Sequence, residues 1–213
     1  GRIFITDYRR GLMVLDPASG KIEPFLSRRH SESFKGVNDL FFASNGDLYF
    51  TDQGQTGLHD PTGRVYRLST DGRLDCLINT VPSPNGLVMN PEENVLYIAV
   101  TRGNCIWRGP LMKDGSLTKV GVFFQLYGPS GPDGLAMDID GNLAVAHARS
   151  GNVLLFSKKG PPLLRVETCA GDINTNIAYG GSDRRDIYIT ESATATVMRA
   201  RMPVAGCAMF AQQ

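Results

Sequence analysis

The stretch Val37-Asn-Asp-Leu-Phe-Phe-Ala-Ser-Asn-Gly-Asp-Leu-Tyr-Phe-Thr-Asp52 decides the fold of this chain. A short apolar run that begins at Leu40 is followed by Ser44-Asn-Gly46, a sequence that favours a tight turn. The next run, Leu48-Tyr-Phe-Thr-Asp52, alternates its side chains as a strand with two different faces does. The stretch therefore predicts two antiparallel strands joined as a hairpin.

The same hairpin recurs along the chain at a spacing of roughly 45 residues. A third strand and usually a fourth follow each copy, so the repeating unit is a four-stranded meander. Units of this length with no helical periodicity are typical of the blades of a β-propeller around a central channel, and a solenoid is the weaker alternative. The second strands of the hairpins fall at residues 3–7, 48–52, 96–100, 143–147 and 187–191.

We therefore expect one all-β domain, a partial β-propeller over residues 1–213. The first unit has sequence for its second to fourth strands only, which favours an N-terminally truncated propeller. The alternative is that a segment such as residues 207–213 closes the ring in an unusual way. The expected divisions are an incomplete blade at 1–30, complete blades at 36–80, 81–127, 128–170 and 171–204, and a tail at 205–213.

Composition excludes several classes of partner. The 22 Lys and Arg residues nearly balance the 21 Asp and Glu residues, and the net charge of +1 gives no basic footprint for nucleic acid. No apolar run is long enough to span a bilayer, so we expect no membrane partner and a cytoplasmic location. The four cysteines form no CxxC pair and the three histidines no HExxH motif, so a zinc site of that type is not indicated.

Polar side chains stand where the first strands of the hairpins begin and where the second strands end. Antiparallel pairing puts these two points at the same end of a hairpin, and first strands line the channel of a propeller. We therefore expect a polar ring at one end of the channel. Its first-strand members are Asn38, Asn85, Asp133 and Thr175, and its second-strand members are Asp7, Asp52, Thr101, His147 and Glu191.

Three members of this ring, Asn38, Asn85 and Asp133, begin successive first strands and should converge on the channel axis. Amide and carboxylate oxygens are the ligands that hard cations such as Ca²⁺, Mg²⁺ and Mn²⁺ accept. Asn and Asp before Gly are also common turn residues, which is the alternative at each single position. The set as a whole favours a metal site.

The chain resembles the gluconolactonase, regucalcin and luciferin-regenerating enzyme family of six-bladed propellers, which hold a divalent metal in the channel. The resemblance covers nearly the whole chain and rests on several segments that are each weak alone. These segments are Val37-Asn-Asp-Leu40, Pro84-Asn-Gly-Leu87, Gly131-Pro-Asp-Gly-Leu135, Thr175-Asn-Ile-Ala-Tyr-Gly-Gly181 and Tyr188-Ile-Thr-Glu191.

The resemblance implies hydrolysis of a small-molecule lactone such as gluconolactone. It makes Asn85 and Asp133 metal ligands, Asp133 also the catalytic base, and Asn38 a ligand of the metal or the substrate. Ca²⁺ is the leading cofactor, with Mn²⁺, Mg²⁺, Zn²⁺ and Fe²⁺ as alternatives. His147 and Glu191 would belong to the pocket wall, and the ring positions add Asp52 and Thr175 to the substrate-binding residues.

Two departures from the family pattern leave alternatives open. The family's metal-binding glutamate in a Glu-Gly-Pro-like segment of the first blade has no counterpart here, and Gly36 stands where sugar-lactone-preferring members carry an arginine. The alternatives are a phosphotriester hydrolase of the same fold and a catalytically impaired propeller that acts as a binding module. An open propeller also exposes two sheet edges, which favours a homodimer.

Overall fold

The structure of the protein is a computed structural model that describes residues 1–212. These residues form twenty β-strands and two short 3₁₀ turns, Thr101–Gly103 and Phe210–Gln212. None of the helical segments in this part of the chain has the length or the apolar character needed to cross a membrane. The predicted all-β propeller is confirmed.

Five antiparallel meanders, named here blades 1 to 5, follow one another along the chain. A two-stranded hairpin of β4 (Arg28–Arg29) and β5 (Glu32–Ser33) links the first two blades. Blade 1 has β1 (Ile3–Asp7), β2 (Gly11–Leu15) and β3 (Ile22–Leu26); blade 2 has β6 (Val37–Phe42), β7 (Leu48–Asp52), β8 (Gly63–Leu68) and β9 (Leu74–Val81). Blade 3 has β10 (Pro84–Met89), β11 (Val95–Val100), β12 (Cys105–Pro110) and β13 (Gly121–Gln125); blade 4 has β14 (Pro132–Met137), β15 (Leu143–His147), β16 (Asn152–Phe156) and β17 (Pro162–Glu167); blade 5 has β18 (Asn174–Gly180), β19 (Asp186–Glu191) and β20 (Thr196–Arg201).

Apolar faces of neighbouring blades form the core. Leu12 of blade 1 packs with Phe50 and Tyr66 of blade 2, and Ala146 of blade 4 packs in one cluster with Ile187 of blade 5. Each strand alternates its side chains between the two faces of its sheet, so one blade can bury residues against both neighbours. Complete burial of a side chain such as Phe50 contributes about 1.5–3 kcal/mol.

The first strands β6, β10, β14 and β18 contact one another in succession, as strands around a channel axis do. Their starts lie at one end of the channel, together with the ends of the second strands, because every first and second strand pair is antiparallel. We call this end the polar end and the opposite end the far end. The strand pairing therefore places the residues of the predicted polar ring at the same end of the channel.

Blade 5, expected at residues 171–204, has three strands in the described part of the chain. After β20 the chain does not turn back to pair with its own sheet. It crosses the far end of the channel instead, where the N–H of Ile139 donates to the carbonyl of Ala205 and the N–H of Cys207 donates to that of Met137. The backbone of this segment thus bonds to blade 4 at residues 205 and 207, while the N–H of Gly206 donates to the carbonyl of Arg184 in blade 5.

The predicted tail at 205–213 is described as far as residue 212, and Gln213 lies outside the described residues. Phe210 stacks on Phe42 of blade 2 with the ring centroids 5.5 Å apart. An added Cβ at Gly206 would meet the side chain of Tyr179 at 2.2 Å, so the tail lies directly against blade 5 at that point. The tail therefore runs from blade 5 past blade 4 to blade 2 and covers the far end of the channel.

Candidate functional site

The first strands of blades 2 to 5 each carry one extra residue relative to the strand beside them. A bulge of this kind leaves a residue unpaired, bends the strand and redirects its side chain. The register slips between Val37 and Leu40, between Pro84 and Leu87, between Pro132 and Leu135, and between Asn174 and Asn176. Within these slips lie the four predicted first-strand residues of the ring, Asn38, Asn85, Asp133 and Thr175.

Asn85 and Asp133, from adjacent first strands, meet in the structure. Asn85 is 6% exposed, and its side chain forms a hydrogen bond with the Asp133 carboxylate. Burial and then the negative charge of Asp39 raise the pKa of Asp133 to about 7, while the hydrogen bond from Asn85 acts in the opposite direction. Because Asn85 donates through its amide nitrogen, its carbonyl oxygen stays available as an acceptor or a metal ligand.

Asp39 is a site residue that the sequence analysis missed. Burial raises the pKa of this carboxyl to about 6, although its Oδ1 accepts a 2.8 Å hydrogen bond from the N–H of Leu40. The equivalent positions in blades 3 and 4 are glycines, Gly86 and Gly134. Only blade 2, with Asp39, and blade 5, with Asn176, have a side chain at this point of the bulge. The aspartate in place of a glycine was the signal that could have identified it.

Asn38 is held by a chain of side-chain hydrogen bonds at the polar end. Its Nδ2 donates to Oε1 of Gln53 at 3.0 Å, and Nε2 of Gln53 donates to Oγ of Ser83 at 2.9 Å. These bonds fix the orientation of the Asn38 amide, whose remaining group is the acceptor Oδ1. The Oδ1 of Asn38 is thus the atom left to accept a bond, and its role as a ligand stays a prediction.

Threonine hydroxyls connect the bulges of neighbouring blades. Oγ1 of Thr51 donates to the carbonyl of Asn85 at 2.8 Å and accepts from the N–H of Asp39 at 3.1 Å. Oγ1 of Thr6, the equivalent residue of blade 1, donates to the carbonyl of Asn38 at 2.6 Å. Each hydroxyl satisfies a backbone group that the bulge removes from the regular ladder, and it ties one blade to the next.

Glycines permit the close approach of adjacent first strands at the bulges. A Cβ added at Gly86 would meet the carbonyl oxygen of Asp133 at 2.4 Å, and one at Gly134 would meet Oδ1 of Asn176 at 2.1 Å. A side chain at either glycine would therefore push the neighbouring blade away from the axis.

The predicted second-strand residues Asp52 and Glu191 are buried and bonded to backbone. Oδ1 of Asp52 accepts from the N–H of Gly36 at 2.8 Å. Oε1 of Glu191 accepts from the N–H of Ile173 at 3.0 Å. The pKa of Glu191 is lowered to about 2, and the largest cause is the hydrogen bond that its carboxylate accepts from the Thr194 hydroxyl. Both carboxylates thus fix the loop that enters their own first strand, and their role in substrate binding stays a prediction.

His147 and Thr175 complete the predicted set. His147 is 3% exposed, burial lowers its pKa, and its Nε2 has no hydrogen-bond partner within residues 1–212. The neutral imidazole can therefore still accept or donate one hydrogen bond. Oγ1 of Thr175 lies 2.9 Å from Oγ1 of Thr190 on the adjacent strand, so its hydroxyl is already partnered.

The donor set fits a hard divalent cation. Asp39 and Asp133 are desolvated carboxylates whose charges oppose each other, and no cationic side chain of the described chain contributes to either pKa. Such a pair requires a proton or a bound cation at neutral pH. The residues that would hold the cation are Asp133, Asn85 and Asn38 by their oxygens, with Asp39 as the second negative charge. No cluster of three or more His, Cys, Asp and Glu side chains occurs in the described residues, so amide oxygens would be required.

Comparison with known proteins gives the family. The model of the SMP-30/Gluconolactonase/LRE-like region matches residues 1–193. A gluconolactonase of Zymomonas mobilis is 30% identical in an alignment 224 residues long. The alignment covers 97% of this chain and 62% of that protein. The lactonase drp35 of Staphylococcus haemolyticus is 32% identical over 161 residues, which cover 73% of this chain and 48% of that protein. The chain thus spans less than two thirds of the length of these relatives.

Solved structures agree with this comparison. A gluconolactonase of Xanthomonas campestris has a TM-score of 0.82 and 25% identity, with 95% of this chain and 69% of that chain covered. Regucalcin of Agrobacterium tumefaciens, described as a calcium-binding protein, has a TM-score of 0.80 and 23% identity, with 98% of this chain and 75% of that chain covered. At this identity the similarity shows the fold alone. The family model covers most of the chain, and the protein therefore belongs to the SMP-30/Gluconolactonase/LRE-like family.

Proposed function

We propose that the protein takes part in metal-dependent hydrolysis of a lactone. The observation that carries this proposal is the group of Asp133, Asn85 and Asp39 at the channel axis of a member of a family that includes gluconolactonases. Ca²⁺ is the proposed cation, because the donors are all oxygens and because regucalcin, of the same fold, is described as calcium-binding. Mn²⁺, Mg²⁺, Zn²⁺ and Fe²⁺ are the alternatives to compare.

The proposed mechanism uses Asp133 as the base. A bound divalent cation would supply Lewis-acid polarisation of the lactone carbonyl. Asp133 accepts a proton from the attacking water as its oxygen bonds to the carbonyl carbon, and returns the proton to the ring oxygen when the ring C–O bond breaks. The product is the open hydroxy acid. In the protein without a cation, burial and then the charge of Asp39 raise the pKa of Asp133 to about 7, and a bound cation beside the carboxylate would lower it.

Asn85 and Asp39 support this step. The Asn85 amide holds the Asp133 carboxylate by its hydrogen bond, and the charge of Asp39 increases the basicity of Asp133. Asn38, oriented through Gln53, offers Oδ1 toward the cation or the substrate. Among the predicted ring residues, His147 is the one whose side chain has a buried nitrogen, Nε2, without a hydrogen-bond partner in the described residues. Its contact with substrate is part of the proposal.

The test is hydrolysis of glucono-δ-lactone, xylonolactone and aliphatic lactones, with an organophosphate triester alongside, in Ca²⁺ and in EDTA. We expect turnover of a lactone that EDTA abolishes, and a loss of about 10²–10⁴-fold in Asp133→Asn. Asp172→Asn, which changes an exposed aspartate, is the matched control. Turnover of the triester alone would favour the phosphotriesterase alternative, and weak Ca²⁺ binding without any turnover would favour the catalytically impaired binding module. The predicted cytoplasmic location also stays a prediction.

A further inference from the structure

A cavity of about 690 Å³ lies along the channel between the carboxylate pair and the tail. Asp39 and Asn176 line it toward the polar end, and Cys207 of the tail lines it at the far end. Its size is within the range of sites for small organic ligands. Since Asp39 belongs both to this cavity and to the candidate site, a molecule that reacts beside Asp133 can extend into the cavity.

The walls of the cavity are mainly hydrocarbon. Asn90, Glu93 and Arg184 are confined to the far end of the cavity. The middle wall is supplied by the first strands of four blades, with Leu40, Leu87, Leu135, Met137, Ile177 and Ala178 among its residues.

Two of the hydrogen-bond acceptors nearest the carboxylate pair already have partners. Oδ1 of Asn176 accepts from the N–H of Ile177 at 2.8 Å, and the hydroxyl of Thr190 accepts from the N–H of Asn176 at 2.9 Å. The Tyr179 hydroxyl, which has no partner within the described residues, belongs to the far end of the cavity beside Gly206. The hydrocarbon middle of the cavity therefore offers few groups that could bond the hydroxyls of a sugar. A buried hydroxyl without a partner disfavours binding, whereas an alkyl or aryl group gains from leaving water.

We propose that the substrate is a lactone with an alkyl or aryl substituent, whose ester lies beside Asp133 and Asp39 and whose substituent occupies this cavity. The inference rests on the proposed lactone hydrolysis and adds the substrate class. It places the reacting ester at the polar boundary of the cavity and assigns specificity to the hydrocarbon wall. Polyhydroxylated sugar lactones are then poor substrates.

Three lactones that share one ring size test the inference: δ-valerolactone, δ-decalactone and glucono-δ-lactone. We expect kcat/KM for δ-decalactone to exceed the values for both others by about tenfold or more, since each added methylene in an apolar pocket favours binding. A preference for glucono-δ-lactone, or equal values for the two alkyl members of the series, would overturn the substrate class and leave lactone hydrolysis intact.

A cavity-filling variant locates the substituent. Ala178 is exposed to the cavity on β18, opposite Tyr188 of β19. In Ala178→Phe we expect the ratio of kcat/KM for δ-decalactone to that for δ-valerolactone to fall about tenfold, because the new ring occupies the space of the alkyl chain. Ala18→Phe, in an exposed turn of blade 1, is the matched control and should leave the ratio unchanged. An unchanged ratio in folded Ala178→Phe would contradict the proposal.

Calorimetric titration with 2-pentylcyclohexanone, a ketone that has no ester to hydrolyse, separates this inference from the proposed function. Binding to the native protein that weakens about tenfold in Ala178→Phe and not in Ala18→Phe supports the apolar site, even if no lactone is hydrolysed. Absence of binding at millimolar ketone would count against the apolar site, whatever the lactonase activity.

Discussion

The carboxyl groups of Asp39 and Asp133 lie near each other at the channel axis. Both pKa values are raised, to about 6 for Asp39 and to about 7 for Asp133. In the folded protein they keep protons to higher pH than in the unfolded chain, where the pKa is near 3.8. The folded state therefore binds more protons between about pH 4 and pH 7. By linkage, this contribution to stability is present at low pH and is lost as the pH rises through that window.

The first prediction is a pH dependence of the free energy of unfolding in EDTA. From pH 4 to pH 7 we expect these groups to lower it by on the order of 3 kcal/mol, and Asp39→Asn to lose much of that dependence. Added Ca²⁺ should restore stability at pH 7, because the cation stabilises both charges. Urea unfolding curves at each pH measure the effect, with Asp172→Asn as control. Identical pH profiles for the native protein and Asp39→Asn would contradict it.

The second prediction concerns Gly86. In Gly86→Ala the new Cβ would overlap the backbone of Asp133, so we expect a destabilisation of about 1–3 kcal/mol and weaker Ca²⁺ binding. Gly121→Ala is a matched control, because a Cβ at Gly121 meets nothing within 4 Å. Thermal unfolding and calorimetric Ca²⁺ titration measure the two effects. Equal Ca²⁺ affinity in both variants would argue that the spacing of the first strands does not define the site.

Sequence reasoning predicted Asn38, Asn85 and Asp133 as site residues because a repeat reveals the equivalent position in successive blades, and the structure places all three in the bulges of first strands. It did not find Asp39, because strict alternation along a strand directs neighbouring side chains to opposite sides. The bulge breaks this alternation and brings Asp39 toward Asp133. The backbone bonds of Asp52 depend on loop geometry that no local sequence pattern specifies.

At the scale of the element, the repeating feature is a bulged first strand tied by a threonine of the preceding second strand. The Thr51 hydroxyl accepts a hydrogen bond from the N–H of Asp39 and donates one to the carbonyl of Asn85. One hydroxyl therefore sets the positions of two site residues from different blades. Strand order and pairing followed from the sequence, because hairpin turns and alternation are local. The missing fourth strand of blade 5 did not, because its loss depends on the contacts of residues 205–207 with blade 4.

The third prediction tests this tie. Thr51→Val keeps the shape of the side chain but leaves the N–H of Asp39 and the carbonyl of Asn85 without their buried partner. We expect a loss of about 1–3 kcal/mol in the free energy of unfolding and a reduced Ca²⁺ affinity. Thr80→Val, at an exposed position of β9, should change neither quantity. A Thr51→Val protein with native stability and affinity would show that the hydroxyl bridge has no part in the site.

At the scale of the whole molecule, blades 1 and 5 present exposed apolar side chains. Ile3 and Phe25 of blade 1 are 50% and 41% exposed, and Val197 of blade 5 is 66% exposed. Sheet edges with such side chains favour pairing with another chain. These exposures support the expected association of two copies through the open edges.

The fourth prediction is therefore a homodimer in solution at micromolar concentration, measured by size-exclusion chromatography with light scattering. Val197→Lys places a charge on the exposed face of blade 5 and should shift the protein to a monomer. Leu58→Lys, at a 72% exposed loop position, is the control and should remain dimeric. A native protein that stays monomeric across the concentration range would exclude the dimer.

The bulges have one more consequence, for how such proteins diversify. Blades 2, 3 and 4 each contribute a candidate site residue from a position that their own ladder leaves unpaired, whereas the packed residues on either side keep the sheet in register. A substitution of the site residue itself, unlike one of the close-packed glycine beside it, can therefore alter the chemistry of the axis while the blade keeps its register. The donor at one blade can thus be exchanged singly, while the sheet that carries it keeps its pairing.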